Sequence, residues 1–201
     1  REFSMLDEGI SPLAFDYDNK TLYVASNIGR DTNAVYSYDP EKDELGDMLF
    51  AHDEVYVGGL IMSRERKKLL GVSYFDDYPR RHFIDDSERQ VHEGLQAAFP
   101  DKVVNIVSAS RDETLNVLLV TSDRDPGSYY LYDRKTSEVR FLVSRMGWIN
   151  PDDMSPMKPI EFAARDGMTI RGYLTLPAGY AEGERIPLIV NPHGGPFGVR
   201  E

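Results

Sequence analysis

A step of 47 residues constrains this chain more than any other feature. Asp18, Glu65 and Asp112 are spaced by 47 residues both times, each sitting two positions into a polar stretch that begins at Asp16, Ser63 or Ser110 and then enters an apolar run. A second landmark keeps nearly the same step. Tyr36-Ser37-Tyr38-Asp39, His82-Phe83-Ile84-Asp85 and Tyr130-Leu131-Tyr132-Asp133 end on aspartates 46 and 48 residues apart. Self-similarity at a fixed period marks structural units that stack, each burying its apolar face on the next.

Inside each unit the local chemistry is that of strands. Leu13-Ala14-Phe15 runs into a polar turn, Leu22-Tyr23-Val24-Ala25 follows, and Ala34-Val35-Tyr36-Ser37-Tyr38 alternates before the Asp39-Pro40 turn. Leu60-Ile61-Met62 and residues 103–107 open the next two units in the same way. Tyr, Val and Ile dominate these runs, as a pleated, half-buried surface prefers. Four short strands in about 45 residues fit a β-propeller blade. A β-sandwich also uses short, evenly spaced strands, but it supplies no reason for a constant period. One stretch departs from the pattern: Ser87-Glu88 can cap a short helix with Val91, Leu95 and Phe99 on one face, ended by Pro100. His92 reads there as a solvated helix residue. Three blades are too few to close a ring, so further blades are expected outside this segment.

Composition removes several classes of function. The formal net charge of -11 repels nucleic acid and anionic membrane alike. With no cysteine, the chain has no disulfide scaffold, thiolate metal site or cysteine nucleophile. Apolar runs such as residues 117–120 are far shorter than the ~20 residues a membrane helix needs. The first ten residues are too charged for a secretory leader, though in a chain that starts inside a longer product this bears little on location. The location stays open, with the cytoplasm favoured.

The last quarter changes character. Pro151, Pro156 and Pro159, with Asp152-Asp153 between them, read as a linker over 151–158 that separates a propeller segment, 1–150, from a different domain over 159–201. Ile160-Glu161-Phe162-Ala163-Ala164 and Met168-Thr169-Ile170-Arg171-Gly172-Tyr173-Leu174 flank Arg165-Asp166-Gly167, a hairpin signature. Ile186-Pro187-Leu188-Ile189-Val190 is apolar on consecutive positions, as expected of a strand covered on both faces of a parallel sheet. It leads into Asn191-Pro192-His193-Gly194-Gly195-Pro196. An oxyanion hole needs backbone N–H groups with no side chain in the way, and glycine directly after a buried strand meets that need. The same tetrapeptide also fits a plain tight turn with a packed histidine.

Taken together, a propeller, an Arg165-Asp166-Gly167 hairpin, Gly172-Tyr173-Leu174-Thr175-Leu176-Pro177 and a strand ending in His193-Gly194-Gly195-Pro196-Phe197-Gly198-Val199-Arg200 resemble the prolyl oligopeptidase family of serine peptidases. The likeness is strongest to its acylaminoacyl-peptidase and dipeptidyl-aminopeptidase-like members. Leu95-Gln96-Ala97-Ala98-Phe99-Pro100 and Asp125-Pro126-Gly127-Ser128-Tyr129-Tyr130-Leu131-Tyr132-Asp133 are similar too. The resemblance implies a mostly β chain: about three blades of a partial propeller, then the N-terminal hairpin and first core strand of an α/β-hydrolase domain. It implies oxyanion-hole roles for Gly195 and Gly194, within a motif that includes His193 and Pro196. It implies short peptides as substrate, hydrolysed through an acyl-enzyme, no cofactor, and a parent enzyme that can assemble as a homo-oligomer. His193 is not the general base, since the triad histidine of this fold follows the serine. No Gly-x-Ser-x-Gly occurs in the chain, so the serine, aspartate and histidine of the triad are expected beyond Glu201, and this chain alone is expected to be inactive.

Other readings account for less. A lipase or esterase commonly carries a third glycine where Pro196 stands, and a propeller binding module with a degenerate hydrolase remnant would lack the downstream serine. Asp16-x-Asp18 resembles the start of a calcium loop, but Lys20 takes the next ligand position and the required glycine is missing, so no metal is expected. Asp76-Asp77 and Asp85-Asp86 read as solvated turn residues, and Arg80-Arg81, Arg124 and Arg145 as surface charge.

Overall fold

The computed structural model of the protein describes residues 8–194, which group into two compact units dividing between Gly94 and Leu95. In the first unit, β1 (Ile10–Phe15), β2 (Leu22–Ser26), β3 (Ala34–Asp39) and β4 (Glu44–Ala51) form an antiparallel sheet in chain order. A second sheet holds β5 (Val57–Ser63), β6 (Lys68–Phe75) and β7 (Pro79–Phe83), and α1 (Asp86–Ala98) follows it across the division. In the second unit, β8 (Val103–Ala109), β9 (Leu115–Thr121), β10 (Ser128–Asp133) and β11 (Glu138–Ser144) make a third sheet, again in chain order. A single 3-10 turn, Pro151–Asp153, leads to a separate hairpin of β12 (Met157–Ala163) and β13 (Thr169–Thr175). The chain is mostly β, as the sequence predicts, and its sheets are antiparallel.

The first landmark falls on turns between paired strands, and the second does so at Asp39 and Asp133 but leads into α1 at Asp85. Between β1 and β2 the Asp16 N–H donates to the Thr21 carbonyl (2.8 Å) and the Asn19 N–H to the Asp16 carbonyl (3.0 Å). Between β8 and β9 the pair recurs from Ser110 to Leu115 (2.8 Å) and from Glu113 to Ser110 (2.9 Å). Asn19 and Glu113 take up the same left-handed backbone, φ 56° and 54°. The acids of the landmark hold these turns in place. Asp18 accepts from the N–H groups of Lys20 and Thr21, and Asp112 from the hydroxyls of Ser110 (2.6 Å) and Thr114 (2.9 Å).

The first and second sheets pack face to face. Val35 on β3, Val57 on β5 and Val72 on β6 are fully buried, with Leu13, Leu49, Phe50, Leu60 and Tyr74 packed around them. Each such valine contributes roughly 1.5–2 kcal/mol by leaving water. Phe50 stacks on the His82 ring at 4.3 Å and lies 5.3 Å from Tyr74, so β4 is tied to both β6 and β7. In the third sheet, β9 is apolar on consecutive positions but buries alternate ones: Asn116, Leu118 and Val120 are fully enclosed. The buried Asn116 amide is satisfied by the Arg134 guanidinium, which donates to its oxygen at 2.6 Å.

Three expectations are corrected. The second sheet has three strands, because the chain after β7 becomes α1 in place of a fourth strand. Helix α1 begins two residues earlier than Ser87 suggested: Asp85 is the cap, accepting the Glu88 N–H at 2.9 Å. Residues 186–190, expected as a buried strand, form no strand, and Leu188, Ile189 and Val190 are 77%, 89% and 75% exposed. A parallel core strand needs neighbours on both sides, and the described residues provide none. The hairpin is as expected: Gly167 at φ 87° turns it, and Glu161 and Arg171 pair across it with an ion pair of 2.9 Å.

Candidate functional site

The sequence points first to the loop after residue 190. His193 and Gly194 lie there in irregular, exposed backbone, and His193 Nδ1 contacts the Gly194 carbonyl at 2.5 Å. Nothing lies within 4 Å of where a Gly194 Cβ would stand, so the approach to its backbone is clear. Gly195 and Pro196 lie outside the described residues. Among the described residues none of the four histidines hydrogen-bonds a serine, and no group of His, Asp and Glu side chains could hold a metal ion. No helix is long and apolar enough to cross a membrane among them either.

The carboxylates follow a common rule: the strongly held ones sit in turns and caps. Asp112 is drawn down to about 2 by the hydroxyls of Ser110 and Thr114. Asp18 is lowered by the backbone N–H of Lys20 and by Thr21. Such groups stay ionised at neutral pH and are poor proton carriers. Asp16 and Asp18 therefore organise a turn, as the sequence implies.

Asp85 is not the solvated residue the sequence suggests. Its side chain is about 10% exposed, it takes an ion pair from Lys68, and it accepts from Arg66 (3.1 Å) and Ser87 (2.5 Å) as well as the Glu88 N–H. Lys68 and then Ser87 hold its carboxyl far below the usual range. Arg66 also reaches the buried Glu88 at 2.5 Å. This hub fastens the start of α1 to the turn between β5 and β6. His92, expected in solvent, is half-buried with its ring 5.2 Å from Phe83 on β7. Burial, then the charge of Arg81, lowers its pKa. Arg80 pairs with Asp76 at 2.9 Å, and Arg145 donates to the Pro126 carbonyl at 3.3 Å, so neither waits for an anion.

No family model matches the chain. Relatives are nonetheless recognisable. The chain is 29% identical over 196 residues to dipeptidyl aminopeptidase BIII of Pseudoxanthomonas mexicana, covering 93% of this chain and 28% of that protein. It is 25% identical over 166 residues to dipeptidyl peptidase family member 6 of Caenorhabditis elegans, covering 83% and 22%. A solved structure from a study of two prolyl endopeptidases superposes with a TM-score of 0.55 at 13% identity, over 89% of this chain and 26% of that one. The chain is thus similar in sequence to dipeptidyl-peptidase-type proteins, and it shares a fold with a solved prolyl endopeptidase. It spans about a quarter of the length of these relatives.

Within that family likeness, two features carry structural work that sequence reasoning missed. One is the Asp85 hub, whose signal was present as a landmark aspartate followed by Ser and Glu, a helix-start pattern. The other is the loop between β9 and β10, residues 122–127, in which Ser, two Asp, Pro and Gly are crowded together. Asp125 there accepts from the Gly127 N–H (2.9 Å) and pairs with Lys102 (2.5 Å).

Proposed function

We propose that the chain is part of a serine peptidase that hydrolyses short or N-terminally blocked peptides through an acyl-enzyme. The likeness to dipeptidyl aminopeptidase BIII over 93% of the chain carries this reading, and the His193-Gly194-Gly195-Pro196 tail supports it. On this reading the three sheets are consecutive propeller blades within 1–150, the second with α1 in place of its outer strand. Residues 151–158 link them to the start of an α/β-hydrolase domain over 159–201.

The roles follow from acyl-transfer chemistry. When a serine attacks a peptide carbonyl, the oxygen gains charge and needs N–H donors already in place. Gly195, with Gly194 second, is assigned the donors because a glycine has no side chain to block the carbonyl, and His193 and Pro196 belong to the same motif. The serine, aspartate and histidine lie beyond Glu201, and the chain alone is inactive. In the longer protein, residues 186–190 enter the parallel sheet, which covers the apolar side chains now exposed. The substrate is a short peptide, and the names of the two relatives favour release of dipeptides over removal of a single blocked residue.

A serine-reactive fluorophosphonate separates the parts of this reading. The longer gene product is expected to label stoichiometrically and to cleave dipeptidyl-anilides faster than nitrophenyl esters, whereas the 201-residue chain stays unlabelled. Stoichiometric labelling of the 201-residue chain, or a longer product that cleaves only esters, overturns it. Replacing Gly195 with Val, which crowds the donor without removing its N–H, is expected to lower kcat by roughly 10²-fold.

A further inference from the structure

The connection from the third sheet to the hairpin is fastened at both ends to one loop. At its start, the Arg145 N–H donates to the Gly127 carbonyl (2.9 Å) and the Arg145 guanidinium to the Pro126 carbonyl (3.3 Å). At its end, the Met157 N–H, the first of β12, donates to the Asp123 carboxylate at 2.7 Å. Gly127 and Asp123 both belong to the loop between β9 and β10.

That loop is built to be rigid. Ser122 accepts from the N–H groups of Arg124 (3.2 Å) and Asp125 (3.1 Å), and the Ser122 N–H donates to the Asp125 carbonyl (3.1 Å). Asp125 bonds the Gly127 N–H and Lys102. Gly127 sits at φ 107°, where a Cβ would lie 2.5 Å from the Thr121 methyl and 2.8 Å from the Val120 carbonyl oxygen. A loop pinned this closely gives Asp123 a fixed position.

The two fastenings differ in strength. The Arg145 end has a backbone bond that no side-chain change can delete and a second bond from its guanidinium. The Met157 end has one exposed, charge-assisted bond to a side chain. The hairpin pairs with no other strand among the described residues, and Phe162 and Met168 on it are exposed. An isolated two-stranded hairpin has little stability with which to hold its own orientation.

We propose that Asp123 is a positioning residue: its bond to Met157 is a latch that sets the direction in which β12–β13 leaves the third sheet. When it opens, the hairpin swings about the Arg145 fastening. In the peptidase proposed above, on which only this consequence rests, the swing would move the start of the catalytic domain against the sheets that cap it.

The 201-residue chain itself allows the test, because a protein with no native cysteine can be spin-labelled at chosen sites. Cysteines replacing Lys135, in the β10–β11 turn, and Asp166, in the hairpin turn, report the hairpin's direction by pulsed electron resonance. Amide exchange at Met157 reports the latch, and exchange at the buried Leu118 reports the sheet. Asp123→Ala is expected to broaden the distance distribution at least about twofold and to speed Met157 exchange roughly 10-fold, with Leu118 unchanged. Asp123→Asn keeps an acceptor oxygen and is expected to stay near wild type in both. Arg145→Ala, which leaves the backbone bond, is expected to leave Met157 exchange unchanged. An Asp123→Ala chain with the wild-type distribution and wild-type Met157 exchange overturns the proposal, as does loss of Leu118 protection in step with Met157. Because none of these readouts is catalytic, a failed peptidase assay leaves them standing.

Discussion

The first and third sheets end on a fourth strand, and the second ends on a helix, although all three reach that point through the same landmark. In the first sheet Asp39 accepts from the N–H groups of Glu41 (3.0 Å) and Lys42 (3.2 Å); in the third, Asp133 accepts from Lys135 (2.8 Å) and Thr136 (3.4 Å). In the second, Asp85 accepts from Glu88, three residues on, as Asp39 does from Lys42. The opening turn is therefore shared. The next residue decides the outcome. Asp43 and Ser137 turn left-handed, φ 56° and 58°, and send the chain back as a strand. Arg89 in that place stays helical, its N–H donating to the Asp85 carbonyl at 3.0 Å. Short polar side chains enter the left-handed region at low cost, and a long one such as Glu113 does so only where the turn holds it, so one residue after a common cap separates strand from helix.

A second difference makes room for the helix. Positions related by the 47-residue step along the middle strands are Val24, Gly71 and Leu118, all buried. Val24 and Leu118 fill the core of their sheets, while at Gly71 the space is taken by backbone. After β7 the chain folds over β6, with the N–H groups of Ile84 and Asp85 both donating to the Leu70 carbonyl (2.8 and 2.9 Å). A Cβ on Gly71 would lie 2.4 Å from the His82 carbonyl oxygen and 3.0 Å from the Phe83 Cα. Gly71→Ala should thus be the most damaging change, costing about 3 kcal/mol, because backbone must move to admit the methyl. Urea unfolding measures it. A cost near the ~1 kcal/mol of an ordinary glycine substitution would mean that the crossing over β6 does not depend on this glycine.

Asp85→Ala should come next, at about 2 kcal/mol, since it removes the helix cap and leaves Lys68 and Arg66 without their shared carboxylate. Asp39→Ala, at the equivalent position in solvent, should shift the unfolding midpoint far less. Equal shifts in the two variants would break the contrast between a capped turn and a capped helix. Arg89→Gly tests the deciding residue itself and should cost about 1 kcal/mol, with helical circular dichroism falling in parallel. An unchanged helix signal would place the decision elsewhere.

The periodic part of the fold was legible because both landmarks mark turns whose hydrogen bonds depend on residues close in sequence. The hairpin was legible for the same reason, from Asp166-Gly167 alone. The replacement of a fourth strand by α1 was half legible: the periodicity of Val91, Leu95 and Phe99 shows a helix, but Ser87-Glu88 drew attention from Asp85, whose capping depends on Lys68 and Arg66 from another turn. Gly71 was illegible, since nothing local says that a carbonyl from β7 will occupy its Cβ position. Residues 186–190 misled in the other direction. Their apolar run reads as a buried strand, whereas the described residues form no strand there and leave Leu188, Ile189 and Val190 exposed. Of the candidate site, His193 and Gly194 were read from the motif alone, and the Asp123 latch escaped notice because it joins residues 34 apart.

The smallest effect concerns pH and again separates the second sheet from its neighbours, since only there does a helix press a histidine on a strand. His92 faces Phe83 and Arg81 from β7, with Glu88 and Glu93 on its own helix. Burial and Arg81 lower its pKa from the ordinary 6.5, outweighing the two glutamates. The unfolded chain therefore takes up the proton first, so His92 favours folding fully above pH 6.5 and progressively less as the pH falls through 6.5 toward its lowered value. Asp85 titrates lower still: its carboxyl is depressed, and its contribution is lost only as the pH falls below the ordinary carboxylate range. Between pH 7.5 and 5.5 the two groups are thus separable. Wild-type stability is expected to decline over that interval, and His92→Gln to decline less, with both measured by urea unfolding at matched ionic strength. Parallel declines would mean that the helix face bearing His92 opens to water before the proton arrives, and the packing of α1 on β7 would then have to rest on the Arg66, Asp85 and Glu88 hub alone.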